Sequence, residues 1–346
     1  MGDITVFGAG IFGLSIAWVC AMRGARVEVV DPFGTAAGSS GGVVGALAPH
    51  VPENWNSKKQ IQFESLEMAA GFWAGVTEAG GADPGYARLG RWQPIMDEAA
   101  LALAQARAIT AGELWQGRYQ WQVIASSEAG GLLSSPTGYL IHDTLSARIH
   151  PRRACHALVS ALAARGVAVR PDRGFTTSQE VWATGAAGLL EVSAQTGRNV
   201  GNGVKGQAAL LRADLGPIPQ LFADALHIVP HGDGTVAIGS TSERDYADAT
   251  ATDAQLDAII DKARAICPAL ADAPVIERWA GLRPRARSRA PMLGDHPTKP
   301  GAFIANGGFK IGFGMAPMVA GLMADLVLDG RDGIPDAFRP AASLPT

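Results

Sequence analysis

The chain has few cysteines, modest charge and no long uninterrupted apolar run, and each shortage excludes a class of protein. Only Cys20, Cys155 and Cys267 occur, far apart in sequence. They form no CxxC pair and no metal-ligand spacing, so neither a disulfide framework nor a bound metal is expected. Cys20 and Cys155 fall in helical patterns and are expected as small core hydrophobes, which fits a reducing cytoplasm. Charged residues make up 18% and the net charge is −3, which gives no reason to expect nucleic acid or an anionic membrane as a partner. The apolar segment from Ile4 to Cys20 has Asp3 where a signal peptide would carry positive charge, and Gly8, Gly10 and Gly13 interrupt it. No apolar run is expected to span a membrane. Internal repeats and low-complexity tracts are absent.

What is present is a globular composition, 47% apolar, in 346 residues, enough for two domains. The opening carries the clearest pattern. Ile4–Phe7 reads as a short buried strand, Gly8-Ala9-Gly10-Ile11-Phe12-Gly13 follows at once, and a helix is expected from about Leu14 to Arg23. Gly24 ends it, and Ala25–Val30 is a second strand that stops at Asp31. A dinucleotide needs these parts. Gly8 permits the tight turn, Gly10 lets a pyrophosphate approach the backbone, and Gly13 lets the helix pack on the strand. The helix N-terminus offers free N–H groups and a favourable dipole. Asp31 is expected to accept from the adenosine ribose hydroxyls, and its charge argues against the extra phosphate of NADP.

The next stretch separates FAD from NAD. Gly38-Ser39-Ser40-Gly41-Gly42 and the small residues up to Ala48-Pro49 make a polar, glycine-rich segment just after the acid. Such a segment can line an anion with backbone N–H groups and hydroxyls. An NAD enzyme usually enters another crossover helix here, and a plain flexible loop is the other reading.

Here the chain resembles the D-amino-acid oxidase and glycine oxidase family of flavoproteins, over nearly its whole length. Further segments match in order: Arg148-Ile149-His150-Pro151-Arg152-Arg153 before a helix from about Ala154 to Arg165; Val181-Trp182-Ala183-Thr184-Gly185; Gly281-Leu282-Arg283-Pro284; and Asn306-Gly307-Gly308-Phe309-Lys310-Ile311-Gly312, then Ala316-Pro317 and a closing helix to about Leu328. The resemblance implies an α/β fold, with a Rossmann-like FAD-binding domain interleaved with an α+β substrate domain on a mixed antiparallel sheet. The FAD domain would use residues 1–50, 140–205 and 280–346, and the substrate domain 51–139 and 206–279. On their own pattern, Gln62–Val76 and Glu98–Ala111 read as helices, Gly206–Arg212 as a strand, and Leu226–Pro230 with Thr235–Gly239 as a hairpin. Only about ten residues, 170–179, separate the strand at Val167–Val169 from that at Val181, so the adenine side of the site is expected to be trimmed.

The implied FAD contacts are Gly8, Gly10, Ile11, Phe12, Gly13, Asp31, Ser39, Ser40, Gly41, Gly42, Ala48, Thr184, Gly185, Gly307, Gly308, Phe309, Lys310 and Ile311. With no cysteine after Cys267, non-covalent FAD is expected. The implied reaction is oxidation of a small amino acid such as glycine, sarcosine or a D-amino acid. A hydride passes from the α-carbon to flavin N5, and oxygen or another acceptor reoxidises the cofactor. The resemblance makes Arg283 the carboxylate ligand, a role suited to a guanidinium held extended by Pro284; a solvated arginine is the alternative. His227 takes a position where glycine oxidases tend to carry tyrosine, the alternative being a residue on a solvated strand face. His50, after Ala48-Pro49, is expected near the flavin front or simply exposed. Lys310 is expected near flavin N1 and O2, or on the surface. Arg283, Arg285, Arg287 and Arg289 make four arginines in seven residues, either a solvated loop or a positive funnel favouring anionic substrates such as acidic D-amino acids or iminodiacids. Two competing readings are a flavin dehydrogenase of a secondary amine or imino acid using a non-oxygen acceptor, and a non-catalytic FAD-binding protein.

Overall fold

Gly8 and Gly13 sit where no side chain fits. In the computed structural model, which describes residues 3–175 and 178–344, a Cβ on Gly13 would lie 1.9 Å from the Gly8 carbonyl oxygen. One on Gly8 would lie 2.4 Å from the Ala183 oxygen, and Gly8 has φ +107°. These contacts let β1 (Asp3–Phe7) turn directly into α1 (Ile11–Met22), which begins a turn earlier than its apolar pattern suggests, before β2 (Arg26–Val30). The chain continues through β3 (Ala46–Leu47), α2 (Ser57–Gly80), β4 (Arg91–Pro94), α3 (Glu98–Leu114), β5 (Trp121–Ala125) and β6 (Tyr139–Asp143). Next come β7 (Ala147–Arg148), α4 (Pro151–Ala163), β8 (Val169–Arg170), β9 (Gln179–Trp182), α5 (Gly185–Thr196) and β10 (Gly201–Arg212). Then follow β11 (Gln220–Ala223), β12 (Leu226–Pro230), β13 (Thr235–Gly239), α6 (Ala254–Ile266) and β14 (Val275–Ala286). The last regular elements are β15 (Met292–Asp295), β16 (Phe303–Asn306) and α7 (Gly312–Asp329).

A six-stranded sheet has the order β15-β16-β9-β1-β2-β8. It is parallel except for β15 at its edge, the arrangement of a nucleotide-binding layer. Ile4 and Val6 of β1 are fully buried, and α1 is apolar almost all round because it lies between this sheet, α4 and α7. An eight-stranded mixed sheet has the order β14-β10-β13-β12-β11-β4-β6-β5. The β12–β13 hairpin forms as its pattern indicates. Cys20 and Cys155 are buried in helices α1 and α4. The long strands β10 and β14 pair from Gly201–Ala286 to Leu211–Val275, so they run across the boundaries drawn at 205 and 280 and join the two layers. Within the short excursion 170–179, Thr176 and Thr177 lie outside the described residues.

Helix α7 corrects two expectations. By length and composition it could cross a membrane, with 18 residues and mean hydropathy 1.3, yet here Met315, Val319, Ala320 and Met323 are buried as it packs against α1 and α2. It also starts at Gly312, leaving Pro317 inside it, although proline removes a helical donor. Ser65 of α2 repairs the turn. Its Oγ donates to the Gly314 carbonyl at 2.7 Å and accepts from the Met318 N–H at 3.3 Å. A distant hydroxyl therefore takes the place of a helical bond, which local sequence does not reveal.

Gly13→Ala is expected to destabilise the protein by about 3 kcal/mol or more, because the contact it would make is backbone on backbone. Urea unfolding of the apoprotein, together with retention of yellow cofactor on gel filtration, measures this; a wild-type midpoint would show that the turn relaxes freely.

Candidate active site

Four segments that are distant in sequence meet at the N-terminus of α1. The helix has no side-chain cap at Gly10, so apart from the Ile11 N–H its first turn keeps donors for a ligand. Asp31, at the end of β2, accepts from the Ala9 N–H at 2.8 Å and from the Phe33 N–H at 2.9 Å, which fixes the carboxylate beside the glycine turn. Ser40 lies over the turn, its Oγ accepting from the Ile11 N–H at 3.0 Å. The glycine-rich segment is held from behind by Arg152, whose Nε donates to the Gly41 carbonyl at 2.6 Å while its other nitrogens grip Glu277 at 2.5 and 2.9 Å. The Ala183-Thr184-Gly185 turn abuts Gly8, and Asn306 ties it to the last segment by donating to the Gly185 carbonyl at 2.9 Å. Gly308 admits Phe12, whose ring would be 2.9 Å from a Cβ there. Phe309 has φ +41° and its N–H donates to the Pro284 carbonyl at 2.9 Å. The expected cofactor residues thus surround one glycine-lined cradle, with Ala48 and Ile311 at its far end. An elongated anionic dinucleotide suits that shape and its free backbone donors.

The far end opens into a cavity of about 140 Å³, lined by Ala46, Leu47, Ala48, Gln62, Arg91, His227, Lys310, Ile311 and Gly314. No carboxylate stands in this wall. His227 does not lie on a solvated face: its Nδ1 is buried without a hydrogen-bond partner, and its ring packs on Phe222 with centroids 4.6 Å apart. Burial, reinforced by Arg91 and Lys310, pushes its pKa down to about 3, so the ring is neutral at physiological pH. Lys310 is exposed at the rim and makes no hydrogen bond or ion pair among the described residues. Partial desolvation and the nearby Arg283 depress its pKa.

Arg283 stands behind Lys310 rather than in the cavity wall. Its guanidinium passes over Gly206, where a Cβ would lie 1.7 Å from Nη2. Nη1 donates to Ser240 Oγ at 2.8 Å, and Nη2 donates to the carbonyls of Thr241 at 2.5 Å and Lys205 at 3.4 Å. Nε is buried with no partner. Burial lowers its pKa to about 10, against the pull of Glu243, and it stays charged at neutral pH. The other arginines of its cluster do not converge on the cavity. Arg285 lies over the Phe309 ring at 5.6 Å, and Arg287 and Arg289 are exposed. His50 is exposed and outside the wall; its N–H donates to Gln62 Oε1 at 2.9 Å and its Nδ1 bonds the same oxygen. Gln62 in turn donates to the Ala48 carbonyl at 3.3 Å, so His50 and Gln62 together brace the segment at the cavity.

Arg91 and Gln62 were not marked by any motif. Arg91 reaches the cavity because β4 pairs with β11 and β6, partners that lie about 130 and 50 residues further along the chain. Gln62 is one polar position in an amphipathic helix, and only the fold turns it inward.

The model of FAD dependent oxidoreductases known as DAO matches residues 3–326. The chain belongs to that family. It is an FAD-dependent oxidoreductase, and the cradle around α1 has the donors and the open glycine surfaces to hold FAD. Glycine oxidase from Geobacillus kaustophilus is 25% identical over 94% of this chain and 92% of its own length. Glycine oxidase from Pseudomonas aeruginosa is 34% identical, but over 41% of this chain and 39% of that protein. Among solved structures, iminodiacetate oxidase from Chelativorans sp. BNC1 superposes with a TM-score of 0.85 at 22% identity, covering 97% of this chain and 98% of that one. The Geobacillus kaustophilus glycine oxidase structure gives a TM-score of 0.81 at 21% identity, covering 98% of each chain.

Because His227 stays neutral until about pH 3, affinity for a simple carboxylate is expected to be level between pH 5 and 8. Flavin difference spectra during propionate titration check this. An inflection near pH 6.5 that disappears in His227→Asn would mean the imidazole charges on ligand binding.

Proposed function

We propose that this enzyme oxidises the CH–NH bond of a small amino or imino acid bound as its carboxylate. The observation that carries the reading is the cavity at the far end of the FAD cradle. Arg91 and Lys310 give its wall two cations; the one carboxylate paired with them, Asp143, holds Arg91 from outside the wall, and no acid is among the lining residues. Such a wall holds an anion and disfavours a cationic ligand. The names of the relatives, glycine oxidase and iminodiacetate oxidase, agree with that chemistry.

Bound FAD supplies a two-electron acceptor whose ring would rest between the 46–48 segment and Gly307–Ile311. The protein's own task is to hold the substrate. Arg283 is held by three acceptors, which leave one Nη1 N–H and the Nε N–H without a protein partner, and its charge is felt at Lys310. We assign it the substrate carboxylate, with Lys310 at the rim adding charge close to the cofactor. Neutral His227 is assigned a hydrogen bond to the substrate, since a buried Nδ1 without a partner is otherwise a cost. His50 is assigned no contact with the substrate; it positions Gln62 and the Ala48 backbone. The amine gives up two electrons and becomes an imine, and water then releases an oxo acid and ammonia or an amine. Oxygen or another acceptor completes the cycle. Three buried free thiols are compatible with a reducing cytoplasm, and no cysteine flanks the cradle, in keeping with non-covalent FAD. The layer built on β1, β2, β8, β9, β15 and β16 is assigned to FAD and the eight-stranded layer to substrate.

Anaerobic mixing with glycine, sarcosine, D-amino acids and iminodiacetate is expected to bleach the flavin with at least one of them, and air should restore the colour if oxygen is the acceptor. A yellow protein that no amine bleaches would leave a cofactor-binding role instead. Arg283→Lys is expected to weaken substrate binding by about 1.5–3 kcal/mol, the worth of hydrogen bonds to a charged group. Stopped-flow reduction at varied substrate reads this directly, and near wild-type constants would remove Arg283 from the site.

A further inference from the structure

Arg91 is a buried cation whose paired carboxylate satisfies only part of it. The residue is 6% exposed. Its Nε donates to Asp143 Oδ2 at 2.9 Å, and Asp143 is fully buried behind it. Asp143 also accepts from the Ser146 N–H at 2.8 Å, which fixes the carboxylate. A guanidinium carries five N–H donors. The two Nη groups of Arg91, with four of them, have no protein partner among the described residues, and Arg91 lines the cavity. These Nη groups are not closed off by protein: the guanidinium lies over the Phe222 ring at 5.5 Å, and its free donors are open to the cavity. Here the pair is lopsided: Asp143 orients the guanidinium, and its forked end is left for something in the cavity.

Arg91 and Lys310 line the cavity, whereas Arg283 stands outside that wall. Arg283 lies behind Lys310, within its electrostatic reach, and Arg91 and Lys310 both bear on His227. Asp143 takes only Nε, so a carboxylate held by Arg283 alone leaves the Nη donors of Arg91 without a partner.

We propose that Arg91 binds a second carboxylate, so that the preferred substrates are amino or imino dicarboxylates such as iminodiacetate or D-aspartate. This rests on the reading of the cavity as the site for a carboxylate-bearing amine. The planar fork fits a carboxylate in two parallel hydrogen bonds, whereas a lysine at the same place would offer only a point charge. With iminodiacetate, oxidation of one CH–NH bond passes two electrons to FAD, and addition of water to the imine gives glyoxylate and glycine.

The test uses the FAD-loaded enzyme and separates binding from turnover. Succinate and propionate, which have no amine to oxidise, are titrated against the flavin spectrum. The wild-type protein is expected to bind succinate at least about tenfold more tightly, and Arg91→Lys is expected to bring the ratio close to one. In turnover, the kcat/KM ratio of iminodiacetate to sarcosine is expected to fall about 30-fold in that variant, mostly through KM. Should Arg91→Lys fail to fold, Arg91→Gln with Asp143→Asn removes both buried charges together and is expected to lose the succinate preference in the same way. Equal affinity for succinate and propionate in the wild type overturns the proposal. So does an unchanged ratio, or an equal loss for both ligands, in Arg91→Lys. If no amine reduces the flavin yet succinate selectivity exists and depends on Arg91, the oxidase reading falls and the dicarboxylate site stands.

Discussion

The contact of backbone with backbone at Gly8, Gly13 and Ala183 is the constraint on which the site depends. Where β1 meets α1 there is no room for a methyl group. That closeness brings the helix N-terminus level with the turn after β9 and, through Phe12 and Gly308, with the loop before α7. The approaches at Gly8 and Gly13 are made by bare backbone and that at Gly308 by the Phe12 ring against a missing side chain, so the cradle presents N–H groups along much of its surface. A ligand with a long, charged, unbranched middle suits such a surface. The anchoring groups stand outside it: Asp31 from the strand end, Arg152 and Glu277 behind the serine–glycine segment, and Asn306 across the two last turns. Rigidity comes from this outer ring, and close approach comes from the missing side chains.

Beyond the cradle, charge takes over from shape. The cavity wall has two cations and a histidine that those cations and burial hold neutral. A charged imidazole would be a third positive group in a small space, and its desolvation would outweigh any pairing available to it. The neutral ring therefore adds a hydrogen-bonding group without adding charge. Arg91 and Arg283 reach their fixed positions by different routes. Arg91 is oriented by a buried carboxylate, which partly cancels its charge. Arg283 is oriented by carbonyl and hydroxyl dipoles, which hold it without neutralising it. Both are preorganised, and neither guanidinium would need much further ordering to take a ligand.

Local features were legible in the sequence, and features made by distant pairing were not. The opening strand–turn–helix–strand unit, the serine–glycine segment, the β12–β13 hairpin and the arginine before Pro284 each announce themselves within a few residues, because backbone sterics act over that range. Arg91 has no such signature: its neighbours Trp92, Gln93 and Pro94 describe only a short strand, and the register with Gln220 and Asp143 is what brings it to the cavity. Pro317 misleads for the same reason, since the hydroxyl that rescues its turn belongs to α2. The dense arginine run misleads in the other direction. Four like charges in one stretch suggest a shared purpose, yet the strand end at Ala286 and the left-handed turn at Arg289 send them to different environments.

Gly206 links the two kinds of information. In isolation it is one glycine within a long strand, a placement that weakens the strand and asks for a reason. Its register partner is Gly281, two residues before Arg283, and the arginine side chain occupies the space a Cβ at Gly206 would take. The glycine and the arginine are therefore one device: the missing side chain on β10 is the slot in which the guanidinium of β14 lies. Ser240, Thr241 and Lys205 accept from that guanidinium and fix it in the slot, and its charge reaches Lys310 at the cavity rim. The strand defect and the placement of that charge thus have the same cause.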